Sequence, residues 1–222
     1  MTARKISPPE RVALVVAVAL LVLQAIAPAD LLEYRRGELV HAPWRALTGH
    51  LVHINWPHAL INAAALWLVA RLYADDLGAR AQALALVVSA CAISAGLAVF
   101  YPSIAWYRGL SGALHGLFFA GVTTWLFTQK PRIARTLWLP VALFAGGWIK
   151  VTLEQPGGAT TPRADWLGAA VVPQAHLVGA ICGTVLGGLF AATNAARGNE
   201  RGEEKQLSER QGAPTAPAAR GR

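Results

Sequence analysis

Two residues of this sequence carry the pairing that acyl transfer needs. Ser111 stands in Gly109-Leu110-Ser111-Gly112, and His176 follows Ala175 near the start of the last apolar stretch. A serine hydroxyl is a weak nucleophile until a base takes its proton, and imidazole is the side chain best suited to do that near neutrality. Gly109 and Gly112 let neighbouring backbone come close and leave the hydroxyl accessible. His58 and Asn62, at i and i+4, share one helix face. Both carry N–H donors able to hold the negative charge that develops on an attacked carbonyl, and the backbone N–H of Ser111 is a third. No Asp or Glu occurs between Leu77 and Leu153, nor in the last apolar stretch, so a Ser–His dyad without an orienting carboxylate is expected.

These groups lie within or beside apolar stretches, and the elements that position them must therefore be membrane helices. A span needs about 20 residues. Six stretches approach or meet that length, at about 12–29, 54–70, 81–101, 109–127, 136–153 and 171–193, and Lys150 is the one Asp, Glu, Lys or Arg residue inside them. Hydrophobic residues make up 55% of the chain and charged ones 14%, with a mean hydropathy of +0.40. These figures exclude a disordered, collagen-like or disulfide-scaffold chain and an ordinary cytosolic enzyme. The expected fold is all-α, a polytopic six-helix membrane bundle over 12–195. It is preceded by a short N-terminal segment (1–11) and followed by a basic, disordered tail (196–222).

Orientation follows from the cations. With the N-terminus inside, the inner segments hold 14 Lys and Arg, including Lys130, Arg132 and Arg135, and the outer segments hold 6, including Arg163. This supports N-in and C-in. The net charge of +8 is thus read as topology, and nucleic acid is not an expected partner. The second, fourth and sixth helices then all start at the outer face, which brings His58, Asn62, Ser111 and His176 to a similar depth. Gly179, Gly183 and Gly187 form a stripe of the small-xxx-small kind, suited to close pairing of the sixth helix with the fourth. The first stretch does not resemble a cleavable signal, because its apolar run is long and Ala27-Pro28-Ala29-Asp30 is a poor cleavage site. Cys91 and Cys182 are read as small buried hydrophobes, His50 as interfacial, and Trp44, Trp56, Trp106 and Trp166 as interface aromatics.

Taken together, Trp44-Arg45, His53-x4-His58-x3-Asn62, Gly109-x-Ser111-Gly112 and Ala175-His176-x2-Gly179-x3-Gly183 resemble the rhomboid intramembrane serine proteases over about residues 10–195. Trp44-Arg45-x3-Gly49-His50, Asn55-Trp56-Pro57-His58, Gly109 to Gly116 and Lys150-x3-Glu154-Gln155 are similar to the rhombosortase subfamily. The resemblance implies Ser111 as nucleophile and His176 as general base. It implies an oxyanion hole of His58, Asn62 and the Ser111 amide, with His53 as a supporting hydrogen-bonding residue. His115 stands where many rhomboids have a tyrosine that packs on the base, and it could stack on or hydrogen-bond to His176. The acidic residue that commonly follows the second helix is offset here, at Asp75 or Asp76. Arg45 is expected to tie down the first loop. The implied substrates are membrane-anchored proteins ending in a Gly-Gly, hydrophobic, basic sorting tail of the GlyGly-CTERM type. The implied location is the inner membrane, with the site open to the periplasm. No metal or cofactor is implied.

Three other readings are weighed against a peptidase. A metal site at His50, His53 and His58 is disfavoured because their spacing puts only two on one helix face. A non-catalytic rhomboid-like client binder would need neither Ser111 nor His176. A transporter would place polar groups near mid-bilayer, and no intramembrane carboxylate is present for proton coupling.

Overall fold

A computed structural model describes residues 5–128, 138–156 and 171–212, with side chains as far as Glu200. In chain order its elements are α1 (Pro8–Ile26), α2 (Ala29–Leu32), β1 (Tyr34–Arg35), a 3-10 turn (Arg36–Glu38), α3 (Arg45–Thr48) and α4 (Trp56–Leu72). They continue with α5 (Ala79–Phe100), β2 (Trp106–Tyr107), α6 (Ser111–Thr128), α7 (Trp138–Leu153) and α8 (Pro173–Gly212). Each of the six apolar stretches carries one long helix. Among the described residues the regular structure is helical apart from one two-residue antiparallel pair, with Tyr34 opposite Tyr107 and Arg35 opposite Trp106.

Three of these helices are long and apolar enough to cross a membrane, namely α1, α5 and Pro173–Glu200 of α8; α7 is a shorter apolar helix. The remaining two differ for a physical reason. α6 has 18 residues, 11 of them buried, and its Gly, Ser, His and Thr content suits a helix surrounded by protein rather than lipid. α4 starts only at Trp56, because the Asn55 side chain caps its first turn by accepting from His58 N and Pro57 fits a helix start. On the outer helices large apolar side chains are exposed, among them Val15, Val18, Leu84, Val87, Ile181 and Val185. An apolar surface of this extent is stable against hydrocarbon, not water, and the chain is a multi-pass membrane protein.

Neighbouring helices are tied end to end. Ser7 and Glu10 form a reciprocal capping box at the start of α1, and Glu10 Oε1 also accepts from Arg71 Nη1, 2.8 Å away, at the end of α4. α6 and α8 pack most intimately. A Cβ on Gly179 or Gly183 would collide with the carbonyl oxygen of Gly112 or Gly116, and one on Gly187 would come within 2.6 Å of the Ala120 carbonyl oxygen. The glycine stripe seen in the sequence therefore meets a matching stripe of small residues on α6.

Three expectations need correction. The tail was expected to be disordered from 196, but α8 continues to Gly212; residues 195–211 are rich in Ala, Glu, Arg, Gln and Lys, which are good helix formers. Residues 213–222, like Trp166, Lys130, Arg132, Arg135 and Arg163, lie outside the described residues. The two cysteines are free thiols, but Cys91 is exposed and Cys182 half-buried, since the outer face of a span presents even lipophilic side chains to lipid. His50 is not interfacial: it is buried, with Nε2 3.1 Å from Ser94 Oγ and its ring tilted against Tyr107.

Candidate active site

Three helix starts converge at one end of the bundle. Ser111 is the first residue of α6, His176 the fourth of α8 and His58 the third of α4. A turn with special geometry delivers the serine. Gly109 has φ +125°, a conformation side chains rarely adopt, and a Cβ there would sit 2.6 Å from His58 Cε1. The turn is held by Tyr107 Oη donating to Gly109 O at 2.6 Å and by Gly109 N donating to Gly49 O at 3.0 Å. Gly112 lets the first turn of α6 press on α8, since a Cβ there would lie 2.9 Å from Ala175 O.

Ser111 Oγ lies 3.0 Å from His176 Nε2. On the other side of the ring, His176 Nδ1 lies 3.1 Å from Glu154 Oε2. This corrects the dyad expectation: a carboxylate does face His176. It stands one residue past the apolar stretch, just beyond the end of α7 at Leu153, so no acid within the spans themselves supplies it. An ionised carboxylate only accepts, so it fixes the proton of neutral His176 on Nδ1 and leaves the Nε2 lone pair toward the serine hydroxyl. Burial works against the charge of Glu154. Hydrogen bonds from His176 and Lys150 outweigh it and hold the carboxyl at about 2, so it is ionised at any ordinary pH. Lys150 Nζ is 2.8 Å from the same Oε2.

Ser111, His176, His58 and Asn62 line one cavity of about 540 Å³. Its other walls are mainly apolar, from Ile61, Ala65, Val69, Phe118 and Phe119. Asn62 Nδ2 donates to His58 O at 2.8 Å, which fixes the amide and leaves its second N–H unused by that bond. The N–H of Ser111 is at a helix start, where backbone donors have no intrahelical partner and the helix dipole favours negative charge.

A family model for the rhomboid domain matches residues 40–193. The chain belongs to the rhomboid family. Rhomboids are in general intramembrane serine proteases. No curated protein matches the sequence.

Within this rhomboid domain the remaining singled-out residues have distinct places. His115 stacks on His176, with ring centroids 4.2 Å apart and planes 18° apart; its Nδ1 lies 2.8 Å from Ser111 O and its Nε2 2.7 Å from Lys150 Nζ. His53 departs from its expected hydrogen-bonding role. It packs edge-to-face on His58 at 5.1 Å, and neither of its buried ring nitrogens has a hydrogen-bond partner among the described residues. Arg45 is buried away from the cavity and anchors the first loop, donating to Asp30 O at 2.8 Å and Glu33 O at 3.0 Å and pairing with Glu38 at 2.8 Å. Trp44, beside it, is exposed.

His115, Glu154 and His176 bring potential metal-ligating atoms within 4.8 Å of one another. They do not fit one ion well. A ring nitrogen binds a metal in the plane of its ring, and two stacked, nearly parallel rings cannot both contain the same point. The Lys150 ammonium also occupies the space between Glu154 and His115. Sequence reasoning missed Glu154 and Lys150 as site residues. Their i, i+4 spacing at the end of an apolar helix was the available signal.

Proposed function

We propose that this rhomboid is an intramembrane serine endopeptidase using Ser111, His176 and Glu154. The observation that carries the reading is the chain of contacts from Ser111 Oγ to His176 to Glu154, 3.0 and 3.1 Å, at the edge of an apolar cavity between helices. Ser111 Oγ attacks a peptide carbonyl of a membrane-anchored substrate while its proton passes to His176 Nε2. The tetrahedral oxyanion is held by the Ser111 N–H and the side chains of Asn62 and His58. As the intermediate collapses, the C–N bond breaks and His176 protonates the leaving amine. Water, deprotonated in turn by His176, hydrolyses the acyl ester and restores Ser111. Glu154 stays ionised throughout and stabilises the imidazolium without taking its proton.

We place the protein in the rhombosortase subfamily, with six spans, N- and C-termini inside, in the inner membrane, and the site open to the periplasm. The motifs read from the sequence and the cation distribution support this. Its substrates are proteins with a Gly-Gly, hydrophobic, basic C-terminal tail. Co-expression with a tagged protein carrying such a tail tests the proposal. Wild type shortens the substrate, while Ser111→Ala and His176→Ala each leave it whole. Cleavage by the Ser111→Ala variant, or a client-binding function it retains in full, would overturn the peptidase reading in favour of a non-catalytic binder.

A further inference from the structure

The ammonium of Lys150 is bound on two sides. It lies 2.8 Å from Glu154 Oε2 and 2.7 Å from His115 Nε2. The first contact alone is an ordinary i, i+4 pair at the end of α7, of little energetic weight when partly exposed. The second is not ordinary, because it joins that pair to the ring stacked on the base.

The donor inventory of these groups leaves one assignment. An ammonium only donates, so His115 Nε2 accepts and bears no proton. A carbonyl oxygen only accepts, so His115 Nδ1, 2.8 Å from Ser111 O, bears the proton and donates it. Lys150 thus stands where a proton on Nε2 would stand and keeps His115 neutral. The consequence falls on His176, 4.2 Å away in the stack. When His176 becomes an imidazolium, it faces the electron-rich side of a neutral ring instead of a second cation. The same ammonium holds Glu154 Oε2, which also accepts from His176 Nδ1. One side chain therefore sets both flanks of the base.

We propose that Lys150 is a positioning residue that holds His115 neutral, with Nε2 unprotonated, and aims Glu154 at His176. The proposal rests on the serine-peptidase reading for its meaning, but its first test does not need activity. The groups facing His176 are His58 from α4, His115 from α6, and Lys150 and Glu154 from the end of α7.

The test uses nitrogen NMR of ¹⁵N-histidine-labelled full-length protein in nanodiscs, in a Ser111→Ala background, with His115→Phe to assign the signal. Wild-type Lys150 gives a single Nδ1–H tautomer at His115. In Lys150→Met, Ser111 O still holds the Nδ1 proton but Nε2 is freed to take a second one, so the doubly protonated ring appears at a pH at which wild type shows Nδ1–H alone, and Lys150→Arg, which also only donates, restores the wild-type form. In the active enzyme Lys150→Met lowers kcat about tenfold with KM changed less than about twofold. Because a cation beside the stacked pair is lost, the pair accepts a proton more readily, and the acid limb of the rate profile moves to higher pH by about one unit. Lys150→Arg recovers most of the rate. A His115 signal in Lys150→Met that matches wild type across the pH titration overturns the proposal. So does a rise in KM with kcat and the pH profile unchanged, which would make Lys150 a substrate contact. Loss of cleavage in every variant, wild type included, would instead count against the peptidase reading while leaving the tautomer result standing.

Discussion

At the scale of single residues, the site depends on which atoms hold protons. Glu154 fixes the proton of His176 on Nδ1, and removing the carboxylate charge should let the ring take the wrong tautomer. Glu154→Gln keeps the shape and loses the charge, so kcat should fall at least about 100-fold and toward the roughly 10⁴-fold seen when a triad loses its acid. The pH dependence has a definite sign. The Glu154 carboxyl is depressed from 4.5 to about 2 in the folded protein. Its contribution to stability is therefore present above about pH 4.5 and lost as pH falls toward 2. Thermal unfolding in detergent should show a smaller difference between pH 7 and pH 3 in Glu154→Gln than in wild type. Asn62→Ala removes a proposed oxyanion donor and should lower kcat up to about 100–1,000-fold with little change in folding. That Ser111, His176, His58 and Asn62 share one cavity was legible in the sequence because glycine neighbours and polar groups inside apolar stretches are costly features with few alternative explanations. Glu154 was not, because a charged residue at a helix end looks like an interface residue until the fold brings it to the base.

At the scale of elements, helix pairing decides whether those residues meet. Ser111 and His176 come from α6 and α8, whose axes approach only because Gly112 and Gly116 face Gly179 and Gly183. Gly183→Val should force the two helices apart and lower the unfolding midpoint. The damage extends to the site, so a chemical label on Ser111 should be lost along with stability. If labelling of Gly183→Val stays at the wild-type rate, the stripe is not what positions the pair. The spacing of the stripe was plain in the sequence, since every-fourth glycines fall on one helix face. The elements between α1 and α4 were not. α2, β1 and α3 are two to four residues long, too short for periodicity to mark them. They exist because distant groups hold them, such as Arg45 on the Asp30 and Glu33 carbonyls and Thr48 Oγ1 donating to Leu32 O. Arg45 was foreseen as a loop anchor, but its partners are set by tertiary structure.

At the scale of the whole molecule, an apolar outer surface surrounds a core whose buried polar groups lie at both ends, His58, Asn62 and His176 at the site and Glu10, Gln82 and Thr124 toward the other. The centre of the bundle is α6, and its neighbours shield its small and polar residues from lipid, which explains why a helix with this composition belongs in a membrane protein. The basic C-terminal segment extends as helix beyond the bundle, and its composition allowed either reading, since charge-rich sequence with high helix propensity is ordered or not according to what it joins. The central claim is that His176 activates Ser111 where the starts of α4, α6 and α8 converge. Reacting the purified protein with a fluorophosphonate and locating the adduct by mass spectrometry tests this most directly. Phosphonylation should fall on Ser111 in wild type, be absent in Ser111→Ala, and slow by at least about 100-fold in His176→Ala. Equal labelling rates with and without the imidazole, or an adduct on a different residue, would contradict it.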